Sequence, residues 1–269
     1  MADNNHKTDT SKAPFIPKTG LAFNSRVDNC IAVMSGKGGV GKSFTSAYLA
    51  VALQRKGYKV GILDADITGP SIPFCFGIKG PTYSESGIIE PVKTKTGIQV
   101  MSSNLLLDNP EDPIVWRGAM ISTLIEQFYS EVKWDCDYLI IDMAPGTGDN
   151  SLTVFQKFRI TSAVLVTSPQ SMVNMVVEKS AKMADMLSVP LLSLVENMAY
   201  VKCPCCNNRI DIYGKMDSEI GKRHGIPTFD EVPFDQDIAK AMDAGNVEGL
   251  DVPYLDSTVN SIILHSEKK

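Results

Sequence analysis

Long apolar runs are missing from this 269-residue sequence, and none approaches the roughly 20 residues that a helix needs to cross a bilayer. A helical membrane span is therefore excluded. The opening stretch MADNNHKTDTSKAP has no apolar core of the kind a secretory signal requires, so the chain is expected to be cytoplasmic. Long Lys/Arg runs are missing too, and the formal net charge is −5, so neither nucleic acid nor an anionic membrane is expected as a partner. Internal repeats and low-complexity segments are absent. Six cysteines are present, but Cys203, Cys205 and Cys206 crowd together, which suits a metal better than a disulfide scaffold. Cys30, Cys75 and Cys136 stand singly beside apolar or turn segments and read as small packing residues.

What is present is an alternation of β-rich runs and amphipathic stretches. Residues 1–25 are polar and aperiodic and read as a flexible tail, leaving 26–269 as a single domain. Strands are expected at Ile31–Ser35, Lys59–Asp64, Gly97–Ser102, Asp137–Asp142, Ser162–Thr167, Leu191–Val195 and Thr228–Val232. Helices are expected at Ser43–Lys56, Val115–Val132, Met172–Leu187, Ser218–His224 and Asp235–Ala244. Several strands are almost wholly apolar, as where helices cover both faces of a sheet. The fold class is α/β, a doubly wound and mainly parallel sheet, which binds ligands at the carboxyl ends of its strands. The C-terminal run Val259–His265 is short and lacks the basic face of an interfacial helix, so it is expected to pack on the domain.

Directly after the first strand comes Gly36-Lys37-Gly38-Gly39-Val40-Gly41-Lys42-Ser43, followed by Phe44, with the spacing of a P-loop opening a helix. Its glycines let successive N–H groups turn toward phosphate oxygens, and the helix N-terminus adds favourable partial charge. Lys42 is expected on the β- and γ-phosphates and Ser43 on Mg2+. Removing Lys42 is expected to spare the fold, since no buried charge would be left behind. Asp142 ends an apolar strand, as a carboxylate that holds Mg2+ through water does. Gly146 and Gly148 free the loop after it to sense the γ-phosphate. Asp64 and Asp149 stand at strand ends either as site residues or as helix caps.

Cys203 and Cys206 have the C-x-x-C spacing that aims two sulfurs at one metal, with Cys205 expected to point elsewhere. No second C-x-x-C and no His cluster accompanies them, so one chain offers two of four ligands. A two-fold axis would supply the rest, for a 4Fe-4S cluster or for zinc.

The K-G-G-x-G-K-S pattern resembles the deviant P-loop family that includes MinD, ParA, the nitrogenase iron protein and the Mrp/ApbC iron-sulfur cluster carriers. The stretches D-A-D-I-T-G-P-S-I-P, V-W-R-G, P-G-T-G-D, V-E-N-M-A-Y and C-P-C-C look like those of the carriers specifically. Ala144 and Ala199 depart from a usual proline and serine, and no N-terminal four-cysteine motif is present. The resemblance implies an ATPase that forms a homodimer and carries a 4Fe-4S cluster between its subunits, from an upstream donor to apo iron-sulfur proteins. It implies that Lys37 reaches the partner's nucleotide, that Asp66 orients the attacking water, and that Asn197 meets the adenine beneath the Val232–Asp235 loop with Pro233. The alternative is a MinD/ParA-like positioning ATPase with a structural zinc. The reductase-type iron protein fits less well, because its cluster cysteines lie far apart in sequence.

Overall fold

The computed structural model describes residues 18–80, 89–107, 118–169, 173–214 and 219–268. In chain order the elements are β1 (Arg26–Ser35), α1 (Lys42–Arg55), β2 (Val60–Asp64), α2 (Ile72–Cys75), β3 (Val92–Lys93), β4 (Gln99–Met101), α3 (Gly118–Ser130), β5 (Asp135–Asp142) and α4 (Asp149–Lys157). They continue with β6 (Ser162–Thr167), α5 (Val173–Met186), β7 (Leu191–Asn197), β8 (Val201–Lys202), β9 (Arg209–Ile210), α6 (Glu219–Arg223), β10 (Thr228–Val232), α7 (Gln236–Asp243) and α8 (Asp256–Ser266). Eight strands form one sheet in the order β10-β7-β6-β1-β5-β2-β4-β3, parallel except for the β3–β4 pair. β8 and β9 form a separate antiparallel hairpin.

Apolar side chains of successive strand residues point to opposite faces, and each face builds its own core. One core packs Leu139, Ile141 and Leu165 of the sheet against α3, α4 and α5. The other packs Ile31, Val33, Ile140 and Val164 against α1, α2 and α8. α1 is buried on nearly every side, from Phe44 through Leu53, because the C-terminal part of the chain covers its outer face. This explains why its sequence shows so little amphipathic character.

The expected strands are all present. β1 begins earlier than expected, at Arg26, because its polar first half pairs with the start of β5. Not foreseen were the short α2 and β3, helix α4, the β8–β9 hairpin and helix α8. The C-terminal apolar run does pack on the domain, as part of α8, with Val259 and Ile262 buried. Asp230 of β10 accepts from the Thr258 N–H at 2.8 Å and so caps that helix's first turn.

The expected flexible tail is too long at its C-terminal end. Lys18 Nζ donates to the Phe155 carbonyl at 2.6 Å, the Thr19 N–H donates to the Lys157 carbonyl, and Leu21 packs on the core. Residues 1–17 of that tail lie outside the described residues, as do Val115–Arg117, Met172 and Ser218 of the expected helices.

Candidate nucleotide and metal site

The sheet's order reverses around β1, whose neighbours β5 and β6 come from far along the chain. The P-loop leaves the carboxyl end of β1 at this switch point, where parallel sheets place their ligands. Gly39 and Gly41 sit at φ +77° and +81°, left-handed values that turn the loop into α1. A Cβ on Gly41 would lie 1.9 Å from Asn197 Nδ2. Gly41→Ala is expected to force Asn197 off the loop and to add left-handed strain of about 1–2 kcal/mol. Nucleotide affinity should then fall on the order of tenfold. Unchanged ADP affinity in a titration of this variant would show that the contact is dispensable.

Lys42, the first residue of α1, is buried, and its Nζ lies 2.7 Å from Oδ1 of the fully buried Asp142. Ser43 Oγ donates to Asp142 Oδ2 at 2.8 Å and Ser46 Oγ to Oδ1 at 2.6 Å. Removing Lys42 would therefore leave a buried carboxylate without its cation, contrary to the expectation from sequence. Ser46 was missed, although it lies one helical turn beyond Lys42 on the same face.

Asp64 is the strand partner of Asp142. Burial, with Asp142 beside it, raises its carboxyl to about 7. Its oxygens accept from the N–H groups of Ser71, Ile72 and Asp66, so it caps α2 and shapes the Asp66 turn. Asp66 is half-buried, with Oδ1 accepting from Thr68 Oγ1 at 3.1 Å. Two buried carboxylates face a single lysine here, a surplus of negative charge that a divalent cation would balance. Ser43 Oγ and the Asp142 carboxylate are the hard oxygen donors fitted to Mg2+.

Lys37 is half-buried, and its carbonyl accepts from Ser35 Oγ at 3.0 Å. The loop after β5 closes on the P-loop through the Gly146 N–H, which donates to the Ser35 carbonyl at 2.8 Å. Asp149 opens α4, where its charge complements the helix N-terminus. Asn197 ends β7 and donates from Nδ2 to the Val40 carbonyl at 3.0 Å. Nearby, Pro233 and the exposed Phe234 line a cleft of about 620 Å³ together with Lys202, Pro204 and Tyr213. The structure thus gathers Gly36–Phe44, Asp64, Asp142 and Asn197 at one end of the sheet, with Asp66 and Pro233 on flanking loops.

Glu196 precedes Asn197 and is buried. Burial, with the Glu231 carboxylate nearby, raises its carboxyl to about 7. A carboxyl whose pKa is higher folded than unfolded binds its proton more tightly in the folded state. Its contribution to stability is therefore lost as the pH rises from about 4.5 to about 7. Glu196→Gln is expected to flatten this decline, so that urea midpoints between pH 5 and 8 fall less in the variant. Equal slopes would remove the assignment.

Beyond Asn197 the chain turns at Met198, a left-handed residue at φ +58°, and enters the β8–β9 hairpin that carries the cysteines. The hairpin closes with the Cys203 N–H donating to the Asn208 carbonyl and the Asn207 N–H to the Cys203 carbonyl, both at 2.9 Å. Backbone N–H groups of Cys205 and Cys206 bond the Cys203 sulfur and lower its pKa, with smaller help from the Cys206 and Cys205 thiols. The Cys205 thiol thus bonds Cys203 as the Cys206 thiol does, contrary to the expectation that Cys205 points elsewhere. Such N–H···S bonds suit a thiolate that ligates metal. Among the described residues, no three of His, Cys, Asp or Glu converge on a point fit for a metal ion, so the hairpin supplies a pair. Cys30, Cys75 and Cys136 are buried packing residues; desolvation raises the thiols of the last two to about 12.

Residues 26–263 match the family described as ParA, NUBPL iron-transfer P-loop NTPase. The chain belongs to this family. Among its curated relatives, the iron-sulfur cluster carrier protein of Clostridium perfringens is 44% identical over 86% of this chain and 84% of its own length. That of Methanocaldococcus jannaschii is 42% identical over 82% of this chain and 78% of its own. A nucleotide-binding protein from Archaeoglobus fulgidus, solved in complex with ADP and with cobalt found in it, is 43% identical. It superposes with a TM-score of 0.77 over 86% of this chain and 91% of that one. The cell division ATPase MinD of Pyrococcus furiosus shares the fold of this chain, with a TM-score of 0.64 over 90% of this chain and 99% of that one, at 18% identity.

Proposed function

We propose that residues 26–269 form one ATPase domain that hydrolyses ATP slowly, holds a 4Fe-4S cluster between two copies of itself and passes it from an upstream donor to apo-proteins. The observation that carries this reading is a hairpin bearing the Cys203 and Cys206 thiols, rooted directly on Asn197, the residue that rests against the P-loop. The names of the curated relatives as cluster carriers and the ADP bound by the archaeal relative support it.

In this reading the Gly36–Ser43 amides cradle the phosphates, with Phe44 continuing the site into α1, and Lys42 leaves Asp142 for the β- and γ-oxygens. Ser43 and Asp142 hold Mg2+, which neutralises charge on those oxygens. Asp66 orients the attacking water, while Asn197, with Oδ1 as its remaining acceptor, and Pro233 meet the base. Lys37 acts on the partner subunit's nucleotide. The cluster is cargo, held by Cys203 and Cys206 from each chain. A positioning ATPase with structural zinc is not favoured, since the relatives with high identity are named as cluster carriers.

The test is anaerobic reconstitution with iron and sulfide. Visible absorption and about four irons per dimer are expected, whereas uptake of zinc but never iron would defeat the proposal. Lys37→Ala is expected to keep ATP affinity but lose hydrolysis by on the order of 100-fold or more. Mixed with a variant defective in its own P-loop that retains Lys37, it should regain activity, because the intact P-loop then receives its lysine from the partner. No recovery in the mixed dimer would place Lys37 in its own chain's site.

A further inference from the structure

The cysteine hairpin consists of two strands of two residues each, too little pairing to hold an orientation by itself. Arg209, the first residue of β9, supplies a grip. Its guanidinium lies over the Tyr200 ring at 4.3 Å. Nη1 donates to Glu231 Oε2 at 2.8 Å, Nη2 to Oε1 at 2.6 Å, and Nε to Asp211 Oδ1 at 2.6 Å. A two-point fork of this kind fixes orientation as well as distance.

Glu231 belongs to β10, where it sits in register with Glu196 of β7, the residue before Asn197. Glu196 is 2% exposed, and its Oε1 has no partner among the described residues, so Arg209 is the cation that offsets a crowded group of carboxylates. The backbone runs the same way. The Ala199 N–H donates to the Val232 carbonyl at 2.9 Å and the Phe234 N–H to the Tyr200 carbonyl at 2.8 Å. The ends of β7 and β10, the Pro233–Phe234 loop and the root of the hairpin therefore form one hydrogen-bonded body. Asn197, touching Val40, is at one end of it and the cysteines are at the other. A further side-chain tie of the hairpin, Lys202 Nζ to Tyr254 Oη at 3.0 Å, runs instead to the C-terminal segment and reaches β10 only through the packing of that segment on the strand, without the fork.

We propose that Arg209 is a positioning residue that couples the cysteine pair to the nucleotide site, so that nucleotide occupancy and cluster occupancy are linked through the Arg209–Glu231 fork. This rests on the carrier function proposed above and adds the route by which its two sites communicate. Ordering the Asn197–Pro233 side around a base orders the hairpin through the fork, and a cluster that fixes the hairpin returns the effect by linkage. The contacts of Arg209 are with Tyr200, Asp211 and Glu231, none of them a P-loop residue or a cysteine.

The experiment measures the affinity of a fluorescent ADP for the full-length protein, metal-free and after anaerobic loading with iron and sulfide. In wild type the two affinities are expected to differ by roughly 5-fold or more. In Arg209→Gln the ratio should fall to one while iron per dimer stays close to wild type. Arg209→Lys, which keeps the charge but not the fork, should recover part of the ratio. Lys202→Gln loosens the tie to Tyr254 but leaves the fork intact, and should keep most of the ratio. Glu231→Gln cuts the same fork from the strand side and carries the test should Arg209→Gln fail to fold. A wild-type ratio persisting in Arg209→Gln or Glu231→Gln overturns the proposal, as does a ratio of one in wild type carrying its full iron. Wild type that takes up no iron overturns the carrier function, and this inference with it.

Discussion

Replacing Lys42 by alanine is expected to abolish ATP turnover and also to cost the nucleotide-free protein about 3–5 kcal/mol of stability. The second effect follows from the 2.7 Å pair that Lys42 makes with Asp142. Both side chains are almost wholly removed from water, and the Ser43 and Ser46 hydroxyls that remain give Asp142 hydrogen bonds but no compensating charge. Adding Asp142→Asn to Lys42→Ala removes the stranded charge, so the double variant should regain much of the stability while remaining inactive. Urea denaturation and a phosphate-release assay on wild type and both variants measure the two effects separately. A Lys42→Ala protein as stable as wild type would mean that the ion pair contributes nothing in solution. Retained turnover would remove Lys42 from the phosphate site.

Cys203→Ser and Cys206→Ser are each expected to abolish cluster binding, whereas Cys205→Ser should leave most of it. In a site built on a two-fold axis, each substitution removes two of four ligands at once, and hydroxyl replaces thiolate poorly as a ligand for soft iron-sulfur centres. Cys203 carries the larger structural consequence, since its sulfur accepts the hairpin's inward N–H groups. ADP binding should survive all three changes, because the P-loop contacts are backbone amides and Lys42. Iron and sulfide per dimer after identical anaerobic reconstitution decide the matter. Iron lost in the Cys205 variant and kept in the Cys203 variant would overturn the pairing.

The elements legible in the sequence were those whose signal is local. The P-loop glycines state their own backbone requirement, and the apolar runs YLIID and AVLVT announce buried parallel strands. The paired carboxylates of β2 and β5 stand at strand ends, where the switch point puts chemistry. What escaped depends on contacts between distant parts of the chain. Residues 18–25 look like a tail until α3 and α4 supply the Glu126 carboxylate and the Phe155 and Lys157 carbonyls that hold them. Lys42 looks like a residue reserved for phosphate until Asp142, a hundred positions away, is seen beside it. Arg209 and Glu231 carry no motif at all, and only the return of β10 alongside β7 makes their meeting visible.

The placement of β1 in the middle of the sheet bears on how the protein matures during synthesis. β1 is made early but borders only β5 and β6, so it has no strand to pair with until Asp135–Asp142 and Ser162–Thr167 have followed. The lysine-aspartate pair beneath the P-loop cannot close before β5 exists, and Asn197 reaches Val40 later still. The cysteines emerge after that, and their hairpin lacks its anchor until Glu231 has been added. A chain that gains structure from its N-terminus onward therefore completes the contacts around its P-loop before its cysteine hairpin is anchored.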